Sequence, residues 1–107
     1  MKPPIFVWEP NDLLAFGSVE ATEGWIEWQD HDEGKVFDCE GRLLELFLVE
    51  DSPTPSVRVR PLEEQPAHQD ELRTALLEAF AAVGEPRLDS AGLEELSKDA
   101  LAKFLVR

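Results

Sequence analysis

The segment "KVFDCEGRLLELFLVE", residues 35 to 50, constrains the fold of this chain more than any other stretch. Two β-prone runs flank Cys39-Glu40-Gly41, and a glycine at that place suits the positive φ of a type I turn followed by a bulge. The second run is apolar on both faces, with Leu44, Leu46 and Leu48 on one and Leu43, Phe47 and Val49 on the other. This pattern predicts a hairpin whose second strand is central and covered by helices on at least one side.

Two further runs predict strands of the same sheet. Residues 5 to 8 (Ile-Phe-Val-Trp) are β-prone and end at a turn signal in residues 9 to 12. The run "VRVR", residues 57 to 60, alternates cleanly, so both valines should face the core. We expect Arg58 and Arg60 to lie on the surface and to pair with nearby carboxylates.

Helical signals occupy three places in the chain. Ser18 is an N-cap candidate for the short helix "VEATEGWI". Residues 67 to 83 give the clearest helical periodicity, and Gly84 ends it. The tail from Leu93 to Phe104 also keeps a helical period, as one bent helix or two short ones, with Ser90 and Ser97 as possible caps: the apolar positions are Leu93, Leu96, Ala100, Leu101 and Phe104.

The order of these signals predicts an α+β fold. We expect one domain over residues 1–107, since 107 residues can bury one core but not two. Its small antiparallel sheet should have about four strands, with a short N-terminal helix and two or three C-terminal helices packed mainly on one face.

Net charge limits the partners that this chain can bind. It has 23 Asp and Glu against 10 Lys and Arg, a net charge of −13, and residues 1 to 56 hold 13 of the acids and only 3 of the bases. Such a field repels nucleic acids and anionic membranes, and it speeds encounter with basic proteins at low salt. An equally simple interpretation is that the acidity only keeps a small protein soluble.

The cysteine count and the N-terminal residues favour the cytoplasm. Cys39 is the single cysteine, so no disulfide can form within the chain. The segment "MKPPIFVWEP" shows no apolar core of an export signal, and no run is long enough to cross a bilayer.

Catalytic and metal-binding patterns are weak. Cys39 lies in an acidic setting that should raise a thiol pKa, which disfavours a nucleophile. The run from Asp30 to Glu33 fails the spacing of a calcium loop, and His68 with Asp70 lacks a second pair of ligands. No phosphate-binding glycine motif or nucleophile elbow occurs. We therefore predict a protein that is not an enzyme and uses no metal or cofactor.

A binding surface needs only aromatic anchors among complementary charges. Trp25 is expected in the core, whereas Trp28, followed by a polar run, is the candidate anchor. The predicted partner-binding residues are Trp28, Glu27, Asp30, Asp32 and Glu33.

Residues 16 to 46 contain a longer motif, made of Phe16, Ser18-Val19-Glu20, Trp25-Ile26-Glu27, Asp30, Gly34 and Asp38-Cys39-Glu40-Gly41-Arg42-Leu43-Leu44. In this motif the chain resembles small acidic bacterial proteins of the immunity type, which neutralise toxins of competing bacteria. The chain departs from the pattern at Gly24 and Trp28. The resemblance implies a cytoplasmic inhibitor that sequesters a toxin domain, and it implies no catalytic residue.

Three functions stay open at this point. The first is an immunity-type inhibitor, a monomer or weak homodimer, whose acidic half occludes a basic toxin or effector. The second is an accessory or self-associating module that uses a sheet edge or the C-terminal helix. The third is a small enzyme with an unrecognised carboxylate pair.

Overall fold

A computed structural model describes residues 1–9, 12–26, 34–50, 56–88 and 90–106. The elements in chain order are β1 (Ile5–Glu9), β2 (Asp12–Phe16), α1 (Val19–Ile26), β3 (Lys35–Phe37), β4 (Leu43–Val49), β5 (Ser56–Pro61), α2 (Gln69–Ala82) and α3 (Leu93–Phe104). All strand pairs are antiparallel, in the order β2-β1-β3-β4-β5. The predicted α+β class is confirmed, and the described residues form five strands where about four were expected.

Strand β2 is the element that the sequence patterns did not predict. It pairs with β1 from Ile5 opposite Phe16 to Glu9 opposite Asp12, so the two strands form a tight hairpin. Residues 10 and 11, in the middle of the predicted turn, lie outside the described residues. The other predicted strands are present, and β4 lies between β3 and β5 as its two apolar faces indicated.

The sheet carries a hydrophobic cluster on each face. Helices α2 and α3 cover one face, where Leu72, Leu76 and Phe80 pack with Phe6 and Phe37. Burial of each such side chain contributes about 1.5–3 kcal/mol. Helix α1 and the chain end pack on the opposite face, against a cluster of Ile5, Val7, Phe16, Val36, Leu44, Val57 and Val59. Two of the three helices therefore share one face, and Val57 and Val59 are buried as predicted.

The helix ends follow local chemistry. The Ser18 hydroxyl accepts the Ala21 N–H at 3.0 Å, which confirms the predicted cap of α1. Helix α2 ends where Gly84, at φ +80°, allows the Glu85 N–H to bond the Phe80 carbonyl. The tail forms one helix, α3. The cap predicted at Ser97 is wrong, because Ser97 lies buried in the middle of α3, after a start at Leu93.

Helices α2 and α3 run side by side in the same direction. The Arg73 Nε–H bonds the Ala91 carbonyl at 2.9 Å near their N-terminal ends. At the other end the rings of Phe80 and Phe104 are 5.3 Å apart. Both N-termini therefore lie at one end of the pair and both C-termini at the other.

Each of the two edge strands has a backbone group on its outer side that is already hydrogen-bonded. At β5, the Glu23 carboxylate accepts the outward Val59 N–H at 2.8 Å. At β2, the Ala15 carbonyl accepts the Val106 N–H at 2.9 Å. Unpaired edge groups are the usual template for strand addition between molecules. Self-association through either edge would have to replace these bonds.

The Glu63 carboxylate holds the segment between β5 and α2 in place through hydrogen bonds. Its carboxylate accepts the N–H groups of Leu43 and Ala67 and contacts His68 Nδ1 at 2.9 Å. These hydrogen bonds, first of all the one from Leu43, lower the pKa of Glu63 below its ordinary value.

We expect acid to destabilise the native protein partly through Glu63. A depressed native pKa contributes stability that is complete above the unfolded pKa and is lost as pH falls through the native pKa. The free energy of unfolding should therefore fall less between about pH 5 and pH 3 in Glu63→Gln than in the wild type. Urea unfolding at stepped pH measures this, with Glu64→Gln, at an exposed neighbour, as control. Parallel pH curves for wild type and Glu63→Gln would contradict the prediction.

Candidate binding site

The predicted partner-binding residues Glu27, Trp28, Asp30, Asp32 and Glu33 lie outside the described residues. The structure places only the two ends of this segment. The chain leaves α1 at Ile26 and is described again from Gly34, just before β3, where an added Cβ would be 3.4 Å from the Trp8 backbone oxygen. The acidic segment, residues 27 to 33, therefore ends directly beside the backbone of Trp8.

A groove of about 230 Å³ lies next to this entry point. Four elements form it: the end of β1, the start of β2, the C-terminal half of α2 and the end of α3. Its apolar lining includes Trp8 and Phe104, both partly buried, and Val83, whose side chain is 48% exposed. Two carboxylates, Asp12 and Glu78, also line it. The groove thus combines aromatic surface with negative charge.

Neither groove carboxylate takes part in an ion pair within the described ranges. Asp12 accepts the adjacent Leu13 N–H at 2.9 Å, and Glu78 lies on the exposed side of α2. Most cations of the described residues are engaged elsewhere. Six of these nine Lys and Arg are in ion pairs, namely Lys35, Arg42, Arg58, Arg60, Arg87 and Lys103. Neither groove carboxylate is therefore neutralised by an ion pair with a described residue.

Helix orientation adds to the negative potential of the groove. The groove lies at the C-terminal ends of α2 and α3, which are the negative ends of the two helix dipoles. Helix α2 has no basic residue in its last turn. A cation on an aromatic face gains about 0.5–2 kcal/mol, depending on desolvation. The arrangement suits a lysine or arginine side chain from another protein.

Cys39 and His68 occupy structural positions. Burial, foremost, and the neighbouring Asp38 and Glu40 carboxylates raise the pKa of the Cys39 thiol, against a smaller opposing effect of Lys2. His68 contacts Glu63, not Asp70. Within the described ranges, no three His, Cys, Asp or Glu side chains are grouped closely enough to hold a metal ion. No helix of those ranges is long and apolar enough to cross a membrane.

The structure also shows the surroundings of Trp25, Arg58 and Arg60. Trp25 is partly buried and packs against the cluster beneath α1, with its ring 5.7 Å from that of Phe16, so it lies at the edge of the core. Arg58 pairs with Glu23 at 3.6 Å, and Arg60 pairs with Glu45. These two arginines therefore have the surface ion pairs that the alternation of "VRVR" predicted.

The groove residues escaped the sequence analysis, although one signal pointed to them. Trp8 was assigned only to a strand, and Asp12 only to a turn. The apolar stripe of the helix over residues 67 to 83 extends to Val83, which the core does not cover. A single exposed apolar residue is common, but Val83 lies with Trp8 and Phe104 in one groove, and such a contiguous apolar surface is a reason to look for a partner.

The comparisons with known proteins identify no relatives. No family model matches the chain, and no curated protein or solved structure is significantly similar to it. The resemblance to immunity proteins therefore stays a prediction.

Proposed function

We propose that this protein is a non-catalytic binding domain that occludes a basic partner, as an immunity-type inhibitor of a toxin or effector would. The observation that carries the proposal is the groove of Trp8 and Phe104 with the carboxylates Asp12 and Glu78, at the C-terminal ends of two parallel helices. A basic side chain of the partner enters this groove. The immunity role itself is supported by the sequence resemblance alone.

The acidic segment belongs to the same proposed surface. Its C-terminal end meets the sheet beside Trp8, so Trp28, Glu27, Asp30, Asp32 and Glu33 are proposed to extend the groove. Carboxylates steer a basic partner and raise the association rate, whereas buried aromatic contact slows dissociation. The proposed compartment is the cytoplasm, where the lone Cys39 stays a free thiol.

The test is capture of a partner from the source cell by the tagged protein, at low and at high salt. The groove variant Asp12→Asn/Glu78→Gln is compared with Glu20→Gln/Glu64→Gln, which removes two exposed charges outside the groove. We expect a basic protein to be held stoichiometrically, to be released by salt, and to be retained less by the groove variant than by its control.

Two further variants separate the two parts of the surface. Val83→Lys places a competing cation at the groove and should abolish capture. Reversing Asp30, Asp32 and Glu33 to Lys should slow association with the captured protein while the thermal midpoint changes little. Equal capture by the groove variant and its control would refute the groove. Capture of only the protein itself, with a mass that rises with concentration in light scattering, would favour the self-associating module.

A further inference from the structure

A second pocket lies at the opposite end of the α2–α3 pair. Its volume is about 420 Å³, within the range of about 300–1,000 Å³ that is usual for small-molecule sites. The N-terminal segment, the β3–β4 turn and one side of α3 form it, with apolar surface from Pro3, Pro4, Leu93 and Leu101. Cys39, the only cysteine of the chain, also lines this pocket.

The pocket contains a buried polar atom without a partner. Ser97 is 4% exposed, and its Oγ has no hydrogen-bond partner within the part of the chain that the structure describes. Buried hydroxyls are nearly always hydrogen-bonded, because leaving one unpaired costs about 1–3 kcal/mol. A serine within a helix can usually bond the carbonyl one turn earlier, and Ser97 does not. Its hydroxyl is therefore left for a ligand.

The cationic side chains at this pocket differ from most of the other described Lys and Arg side chains, which are in ion pairs. Lys2 and Lys98 line it, and neither takes part in an ion pair between described residues. Glu40 and Glu94 line it as well, and Glu40 lies 3.8 Å from the Arg42 guanidinium. Two lysines and two glutamates therefore line the pocket, and such a balance of charges is unusual on a surface as acidic as that of this protein.

Both helix N-termini add positive potential at the same place. Gln69, the first residue of α2, and Leu93, the first of α3, line the pocket. Neither His68 nor Gly92, at the two N-cap positions, makes a side-chain cap hydrogen bond. N–H groups of the first helical turns lack partners within their helix and attract anions.

We propose that this pocket binds a small apolar molecule that bears one carboxylate. The apolar body packs against the prolines and leucines of the lining. The carboxylate accepts a hydrogen bond from the Ser97 hydroxyl and lies near Lys98 and the first turn of α3. This site is separate from the groove at Trp8, and it does not depend on the proposed partner.

Cys39 makes the pocket testable in the intact protein. The probes are phenylacetate and 4-methylpentanoate, with the matching amides and amines as controls for charge. Two readouts are used: the alkylation rate of Cys39 by iodoacetamide at alkaline pH, and the thermal midpoint. We expect both acids to slow alkylation and raise the midpoint in a saturable way, the amides to act more weakly, and the amines not at all.

Variants of the pocket tie the binding to its residues. Ser97→Ala should leave the free protein as stable as the wild type or more so, because an unpaired hydroxyl is removed. It should weaken binding of the acids about tenfold to a hundredfold, as expected for one lost hydrogen bond to a charged group. Lys98→Gln should weaken acids more than amides. The controls are Ser90→Ala, in the loop before α3, and Lys103→Gln, at the far end of α3.

Three outcomes would overturn the proposal. The first is the absence of any saturable effect of the acids on either readout. The second is equal protection by acids and amines, which would mean that the pocket selects apolar shape alone. The third is undiminished binding of the acids to Ser97→Ala, which would mean that the unpaired hydroxyl does not contact the ligand.

Discussion

Replacement of Asp38 by alanine is expected to destabilise the protein by about 3–5 kcal/mol, the usual cost of removing one partner from a buried ion pair. Asp38 is completely buried. One carboxylate oxygen accepts the N–H groups of Glu40 and Arg42, each at 3.0 Å. The other accepts the Lys2 N–H at 3.3 Å and an Arg42 guanidinium N–H at 2.7 Å. Alanine would leave these donors without their acceptor.

Urea unfolding of Asp38→Ala measures this loss. The matched control is Glu40→Ala, two residues further on in the same turn, where the side chain is exposed and 3.8 Å from the same guanidinium. We expect a change below about 1 kcal/mol for that control, as is usual for surface ion pairs. Asp38→Asn should fall between the two, because an amide oxygen still accepts but an amide NH₂ faces Arg42. Equal losses for Asp38→Ala and Glu40→Ala would show that the buried carboxylate does not organise the turn.

The same carboxylate shapes the pocket at the helix N-termini. It holds the Lys2 backbone, and the Cys39 N–H bonds the Lys2 carbonyl at 3.1 Å. Lys2, Cys39 and Glu40 all line that pocket. Asp38→Ala should therefore raise the alkylation rate of Cys39 in the free protein. As long as the variant stays folded at moderate temperature, a loss of global stability by itself would not raise this rate.

In the β3–β4 hairpin, the turn could be predicted from the sequence, whereas the partners of its buried carboxylate could not. The position of Gly41 was sufficient to predict the turn, because only glycine readily adopts its φ of +85°. The role of Asp38 was not predictable, since its partners include Lys2, 36 residues earlier. A local pattern indicates where a chain turns, and it does not indicate which distant donors will meet there.

Strand β2 was missed for a related reason. Its apolar run Leu13-Leu14-Ala15-Phe16 is short and does not alternate with polar residues, so periodicity alone cannot assign it. Pairing with β1 and with the chain end makes it a strand. Ser97 was similarly misjudged as a cap, because a serine beside apolar periodicity fits a helix start as well as a helix interior.

The two candidate sites depend on tertiary arrangement even more strongly. The acidic charge of the chain led to the prediction of a basic partner, which stays a prediction. It did not indicate the groove, which combines Trp8 with Phe104, 96 positions later. Its electrostatics follow from the parallel course of α2 and α3, which no local signal indicates. Parallel helices place both C-termini at the groove and both N-termini at the Ser97 pocket. One feature of the topology therefore favours a cation at one end and an anion at the other.

Replacement of Gly41 by alanine should cost about 2–5 kcal/mol, since two unfavourable effects combine. The first is the φ of +85°, which side chains rarely adopt. The second is space: an added Cβ would lie 2.6 Å from Gln69 Cα, a backbone atom at the start of α2. The hairpin turn or the helix would have to move, and the bond from the His68 N–H to the Gly41 carbonyl would lengthen.

Gly84→Ala separates these two effects. Gly84 has a similar φ of +80°, but nothing lies within 4 Å of its added Cβ. It should cost only the conformational part, about 1–2 kcal/mol. Gly92→Ala, without positive φ or close neighbours, provides the baseline. Urea unfolding of the three variants should rank Gly41→Ala as the least stable. If Gly41→Ala and Gly84→Ala lost the same free energy, the contact between the turn and α2 would be looser than the structure shows, and the wall of the Ser97 pocket with it.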